Sequence, residues 1–202
     1  MNRPKIGILD CGSGNLRSVY KAFRREGALP AISKAVDPEW DGLVLPGVGA
    51  FGHAMRNIDH VRDDILSFVR GGRHFLGICL GLQVLMESSE ENPGAAGLGL
   101  VPGNVVRIEA EKVPHIGWNS LDIRKESQIL AGMKTGTYFY FVHSYHADPA
   151  DEVVVASCSY QGSHLTAAVE TDNVHACQFH PEKSGSEGLK IIANFSRLAG
   201  DG

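Results

Sequence analysis

Apolar positions follow two patterns along the chain. Short unbroken runs at residues 5–10 (Lys-Ile-Gly-Ile-Leu-Asp), 43–45 and 74–78 read as buried strands, and 29–32 as another. Between them the apolar spacing is helical. Leu16, Val19, Tyr20 and Phe23 form one stripe, with Asn15 placed to cap it and Gly27 to stop it. Ile58, Val61, Ile65, Phe68 and Val69 form a second over 58–70, ended by Gly71-Gly72. Pro46-Gly47 is expected to cut off the strand at 43–45, and a helical stretch at 83–86 to follow the strand at 74–78. Alternating strands and helices with short connections predict a parallel sheet covered by helices on both faces.

The second half changes character. Residues 101–108, 121–124, 137–142, 153–160, 165–170 and 174–179 all read as strands with few helices between them, so antiparallel hairpins are expected there. A helix at 187–198 follows. The fold class is therefore α/β: an open mixed, mainly parallel sheet with helices on both faces and antiparallel strands in the second half. No linker or repeat interrupts the chain, and residues 1–202 are read as a single domain.

Composition narrows the classes. Apolar residues are 43% and charged residues 21% of the 202, as in globular proteins. The net charge of −4 gives no basic surplus for a phosphate footprint, so no nucleic-acid partner is expected. No run approaches the ~20 apolar residues of a membrane span, and the Met1–Pro4 start has no signal-peptide pattern, so a cytoplasmic protein with reduced thiols is expected. Nine histidines raise the question of a metal, but His143/His146 and His175/His180 lack accompanying carboxylate or Cys ligands at suitable spacing, and none is expected. Gly12-Ser13-Gly14 resembles part of a dinucleotide fingerprint, yet Arg17 stands where the third glycine belongs, which leaves a turn or a partner-facing surface.

The strongest chemical signal is the strand-to-helix joint Gly77-Ile78-Cys79-Leu80-Gly81. Glycines two residues either side of a nucleophile-type residue match a nucleophile elbow with Cys in place of Ser. The turn crowds those two positions, and it sets the thiol near a helix N-terminus, where thiolate is favoured. The Leu80 N–H would then point at an oxyanion. A small buried Cys in a tight joint is the plainer alternative. His180, at the end of the run 174–179, supplies a base, with Glu182 two residues on to fix its tautomer and Pro181 stiffening the turn. The segment Pro46-Gly47-Val48-Gly49 either turns backbone N–H groups toward developing charge or is an ordinary loop.

Together these motifs resemble the class I (triad) glutamine amidotransferases. Further segments are similar to the family of glutaminase subunits of imidazole glycerol phosphate synthase: residues 10–19, Leu45 to Phe51, Pro114-His-Ile-Gly-Trp-Asn119, Tyr140-Phe-Val-His-Ser-Tyr145 and Gln178 to Ser184. The resemblance covers essentially the whole chain. Cys11 departs from it, standing where many relatives carry Tyr, and reads as a loop substitution since no base accompanies it.

The resemblance implies glutamine hydrolysis by Cys79, His180 and Glu182. The oxyanion would be held by the N–H groups of Leu80 and of Val48 or Gly49, and glutamine gripped by Gly47, Gln83, Ser144 and Tyr145. It implies no cofactor. It implies a (β/α)₈-barrel cyclase partner that receives the ammonia in a heterodimer, faced by Asn15, Trp118 and Tyr140. It also suggests that the Val48 peptide reorients only when the partner holds nucleotide. A glutaminase for another synthase, of anthranilate or pyridoxal phosphate, and a non-catalytic regulatory module both stay open at this point.

Overall fold

The computed structural model describes residues 3–12 and 15–201. The Gly12-Ser13-Gly14 reading thus falls largely outside the described residues, as do Met1 and Asn2. The first half alternates as expected: β1 (Lys5–Leu9), α1 (Leu16–Arg25), β2 (Leu29–Ser33), β3 (Gly42–Gly47), α2 (Phe51–Ile58), α3 (Arg62–Arg70), β4 (His74–Cys79) and α4 (Leu80–Gln83). The second half holds β5 (Ser88–Ser89), β6 (Gly103–Arg107), β7 (His115–Ser120), β8 (Asp122–Ile123), β9 (Tyr138–His143), β10 (Tyr145–Pro149), β11 (Val154–Tyr160), β12 (Ser163–Thr171) and β13 (Val174–Cys177), and α5 (Gly185–Asp201) follows.

The main sheet has eight strands in the order β2-β1-β3-β4-β13-β12-β11-β8. Its first five run parallel, and the rest are antiparallel. The central strands are buried on both faces, which explains why they appear as continuous apolar runs. Their side chains alternate between two cores. Leu43 and Leu45 join one core with Phe51 and Met55 of α2 and Ile65 and Phe68 of α3. Val44 joins the other with Val19 and Phe23 of α1 and Ile191 and Phe195 of α5. Each fully buried Phe or Ile contributes ~1.5–3 kcal/mol by leaving water. Gly27 ends α1 as expected: at φ +89 it lets Ala28 N–H reach the Phe23 carbonyl while its own N–H meets Arg24.

Two expectations need correction. The strand at 43–45 is not cut off by Pro46 but runs on to Gly47. Its pairing with β1 ends at Val44 while pairing with β4 continues, so the N–H that proline lacks is not missed on the β1 side. The helix expected over 58–70 begins only at Arg62, as α3: Ile58 ends the preceding helix α2, and a 3₁₀ turn at Asp59–Val61 joins the two. The start of α2 is capped from afar: Phe51 N–H donates to the Glu91 carboxylate and Gly52 N–H to Asn92 Oδ1.

Outside the main sheet, β7 and β9 form an antiparallel hairpin, and β10, β6 and β5 a small sheet. The hairpin leaves Ile116, Trp118 and Tyr138 more than half exposed. Among the described residues no helix is long and apolar enough to cross a membrane.

Candidate active site

The C-terminal ends of β1, β3, β4 and β13 meet at one edge of the sheet, where open parallel sheets bind ligands. In-register pairing of Gly47 with Cys79 brings the 48–49 loop beside the thiol. Cys79 takes φ +55, ψ −103, a strained backbone that lifts the side chain out of the strand. Both flanking glycines are required. A Cβ on Gly77 would lie 2.6 Å from the Gly81 carbonyl oxygen, and one on Gly81 would lie 1.8 Å from that of Leu45. The expected helix at 83–86 is instead the single turn α4, which begins directly after Cys79. One turn aligns few peptide dipoles, so the helix adds only a weak field at the sulfur.

His180 arrives from β13. Its N–H donates to the Tyr140 carbonyl at 2.9 Å, and Ser184 Oγ, which donates to His180 O, accepts from Tyr140 N–H. The hairpin strand β9 thereby holds the whole His180–Ser184 turn. Within it His180 Nδ1–H donates to Glu182 Oε1 at 2.9 Å, with both side chains buried. Asn15 stands at the N-cap position of α1 as expected, its carbonyl accepting from Ser18 N–H, but its half-buried side chain makes no cap bond and donates its amide to Glu182 instead. A left-handed backbone at φ +76 turns it inward. Burial lowers the affinity of His180 for a proton, but Cys79 and Glu182 outweigh it and raise the imidazole to about 9. Its Nε2 is buried without a hydrogen-bond partner among the described residues, so it is free to exchange a proton with Cys79 or a substrate.

Cys79 opens into a cleft of about 450 Å³ lined also by Val48, Gly49, Leu80, Gln83, Ser144, Tyr145 and Lys183. Gly47 does not line it: buried at the end of β3, it positions the loop rather than contacting the cleft. Trp118 is exposed and packs edge-on against the half-buried Tyr140, 6.3 Å between ring centres, so neither is a core aromatic. A larger cleft of about 600 Å³ lies around Ser127, Leu130 and Glu170, but among the described residues no cysteine or histidine lines it, and the Glu170 carboxylate is occupied by Ser127 Oγ and the Gln128 N–H. The other three thiols are buried elsewhere. Cys11 donates to the Pro46 carbonyl, burial pushes Cys158 up to about 12, and burial, with Glu182 and Cys79, raises Cys177 well above the usual thiol range. Among the described residues no group of three or more His, Cys, Asp or Glu could hold a metal ion.

Two side-chain networks have no local signal in the sequence. The Tyr145 carbonyl can only accept, so His143 Nδ1–H donates to it; His143 Nε2 then accepts from His115 Nδ1–H, and His115 Nε2 from the Asn119 amide. This ladder works only with both rings neutral. Burial holds His115 down to about 4 and His143, despite its bond to Tyr145, to about 3. Below pH 6.5 the unfolded chain therefore binds the extra protons, and this contribution to stability is lost as pH falls toward 4. His180 is opposite in sign: its contribution is complete below 6.5 and lost as pH rises through 9. Stability from urea unfolding is expected to peak near pH 6.5, with a basic limb on the order of 3 kcal/mol and a larger acid limb, which two histidines share. A midpoint that climbs steadily from pH 6.5 to 9 would contradict the His180 contribution. The second network runs through Gln83 and Gln178 to the sulfur of Cys79.

The family model for glutamine amidotransferase class-I matches residues 7–198. The chain is 54% identical to the imidazole glycerol phosphate synthase subunit HisH of Methanothermobacter thermautotrophicus, covering 96% of this chain and 98% of that one. It is 48% identical to the subunit of the same name from Aquifex aeolicus, over 95% and 96% of the two chains. The solved structure of PurLQS from Thermotoga maritima shares the fold, with a TM-score of 0.76 at 21% identity, covering 96% of this chain and 98% of that one. The chain belongs to the class-I glutamine amidotransferase family.

Proposed function

We propose that this chain is the glutaminase subunit of an imidazole glycerol phosphate synthase and feeds ammonia to a (β/α)₈-barrel cyclase in the cytoplasm. The observation that carries the chemistry is the convergence on one cleft of a strained Cys79, the buried His180–Glu182 pair behind it and the 48–49 loop beside it. The named relatives, matched over nearly their full length, support the choice of synthase. The exposed Ile116, Trp118 and Tyr138 on the hairpin that also holds the His180 turn suit a partner face linked to the site.

In this reading the Cys79 thiolate adds to the side-chain carbonyl carbon of glutamine. A C–S bond forms, and the carbonyl π pair moves to oxygen, where the Leu80 and Val48 or Gly49 N–H groups meet it. His180 Nε2 gives its proton to the amide nitrogen as the C–N bond breaks, and ammonia leaves. Neutral His180 then takes a proton from the water that attacks the thioester. The C–S bond breaks, glutamate departs, and the thiolate and imidazolium are restored. Glu182 keeps Nδ1 protonated throughout. Gln83, Ser144 and Tyr145 line the space for the amino-acid end of the substrate. Val48 is partly exposed and Gly49 sits at φ +121, so the peptide between them can rotate at low cost.

Glutamate release, measured with and without a candidate barrel cyclase while nucleotide is titrated in, tests the proposal. The isolated chain should be slow, and the nucleotide-loaded complex faster by about 100-fold, the effect of one oxyanion donor. Full-rate hydrolysis by the isolated chain would refute the gating. Stimulation only by an anthranilate or pyridoxal phosphate synthase would refute the choice of partner.

A further inference from the structure

Two glutamine side chains connect the substrate end of the cleft to the nucleophile, and their orientations follow from hydrogen-bond logic. The Tyr145 carbonyl accepts at 2.8 Å from the Gln83 side chain, so the group facing it is the Nε2 amide. The same Nε2 lies 3.2 Å from Gln178, so the Gln178 atom facing it is the acceptor Oε1. That leaves the Gln178 Nε2–H pointing at Cys79 Sγ, 3.5 Å away, an ordinary N–H to sulfur distance. Gln178 is fully buried, and its backbone N–H is fixed on the Ala167 carbonyl at 2.9 Å, so the amide has no solvent to turn to.

We propose that Gln178 is a catalytic residue of the glutaminase reaction, donating a hydrogen bond to the Cys79 sulfur that stabilises the thiolate before attack and again when the thioester is cleaved. The proposal rests on the glutaminase reading above. A buried N–H aimed at a sulfur interacts more strongly with thiolate than with thiol, because the charged acceptor gains most in a dry site. It complements His180, which exchanges the proton, by supplying a donor that never transfers one. Because Gln83 Nε2 bonds both Gln178 and Tyr145, a substrate that pulls on Gln83 or on the 144–145 backbone changes the hold on the sulfur. Gln178 is thus the last link of a path from glutamine binding to nucleophile activation. The ionisable groups around Cys79, namely His180, Cys177, His143, Tyr145, Glu91 and Lys183, are unchanged by a substitution at 178.

Gln178→Met keeps the length and removes the donor. The test is Cys79 alkylation by iodoacetamide in the full chain, with and without the cyclase, counted by intact mass against Cys79→Ala to discount the other thiols. The variant should alkylate about tenfold more slowly at pH 7 and converge with wild type at high pH, which a merely structural defect would not do. In the complex kcat for glutamine should fall about tenfold or more, with KM changed less. Wild-type alkylation at pH 7 in the variant overturns the proposal. If the variant does not fold, the wild-type chain decides: the Gln178 side-chain amide resonances should shift across the Cys79 titration and stay fixed in Cys79→Ala, and a fixed resonance in wild type overturns the proposal. Alkylation needs no glutamine, so a wild-type complex that fails to hydrolyse glutamine would overturn the functional reading while this readout stands apart.

Discussion

Cys79→Ala should lower glutamine-dependent synthesis by the complex at least ~10⁴-fold while synthesis from added ammonia stays within about twofold. No other group can replace the sulfur. Among the described residues no other cysteine lines the cleft, and burial holds Cys158 as the thiol. Without the thioester, His180 and the backbone N–H groups polarise a substrate that has no nucleophile to meet it, and only weak water attack remains. Alanine fits where Cys79 stands, since only the sulfur is lost. The strained φ of +55 costs alanine and cysteine alike, so the backbone adds no loss of stability. Ammonia enters downstream of this step, so its use reports that the partner is intact and assembled. Paired assays at saturating glutamine and at high ammonia check both halves. Glutamine-dependent turnover within tenfold of wild type would remove Cys79 from the mechanism, and joint loss of both activities would reassign it to assembly.

The fold is legible in the sequence where burial is two-sided. Residues 43–45 and 74–78 are unbroken apolar runs because β3 and β4 have helices on both faces. It is less legible where structure is imposed from elsewhere. Phe51, Met55 and Ile58 have helical spacing, but α2 follows directly on a Pro-Gly-Val-Gly turn, and its caps, Glu91 and Asn92, lie about forty residues away. Strand β7 escapes a reading by pattern because Ile116 and Trp118 face outward, so its apolar positions serve a surface rather than a core.

For the site, local chemistry and distant contacts divide cleanly. Cys79 and its glycines are one steric unit, and His180 and Glu182 are two residues apart, so both can be read from short segments. Asn15 cannot: only the fold places it against Glu182, 167 residues on. Gln178 likewise sits inside a recognisable motif, yet its role depends on Gln83, which is 95 residues away and is itself turned by the Tyr145 carbonyl. His115 and His143 invite a metal reading when counted as histidines. Their hydrogen-bond ladder shows two neutral rings that brace the same Tyr145 carbonyl oxygen that Gln83 holds.

The elbow itself is open to a purely steric test. Gly81→Ala would put a methyl group 1.8 Å from the Leu45 carbonyl oxygen and 3.0 Å from its carbon, both backbone atoms of a central strand that cannot swing aside. Either α4 or β3 must move. Leu45 pairs with Gly77 and leads through Gly47 into the 48–49 loop, so a shift disturbs the nucleophile and the oxyanion donors together. The expected loss of stability is at least ~3 kcal/mol, with glutaminase activity of the surviving folded protein down more than ~100-fold. Gly132→Ala separates collision from backbone strain. Gly132 has φ +79 but nothing within 4 Å of an added methyl group, so its cost should be only the ~1–2 kcal/mol of a left-handed alanine, with activity unchanged. Urea midpoints and glutamate release measured on both variants give the comparison. A Gly81→Ala chain as stable and active as wild type would mean that the tight joint between α4 and β3 is not what aims Cys79.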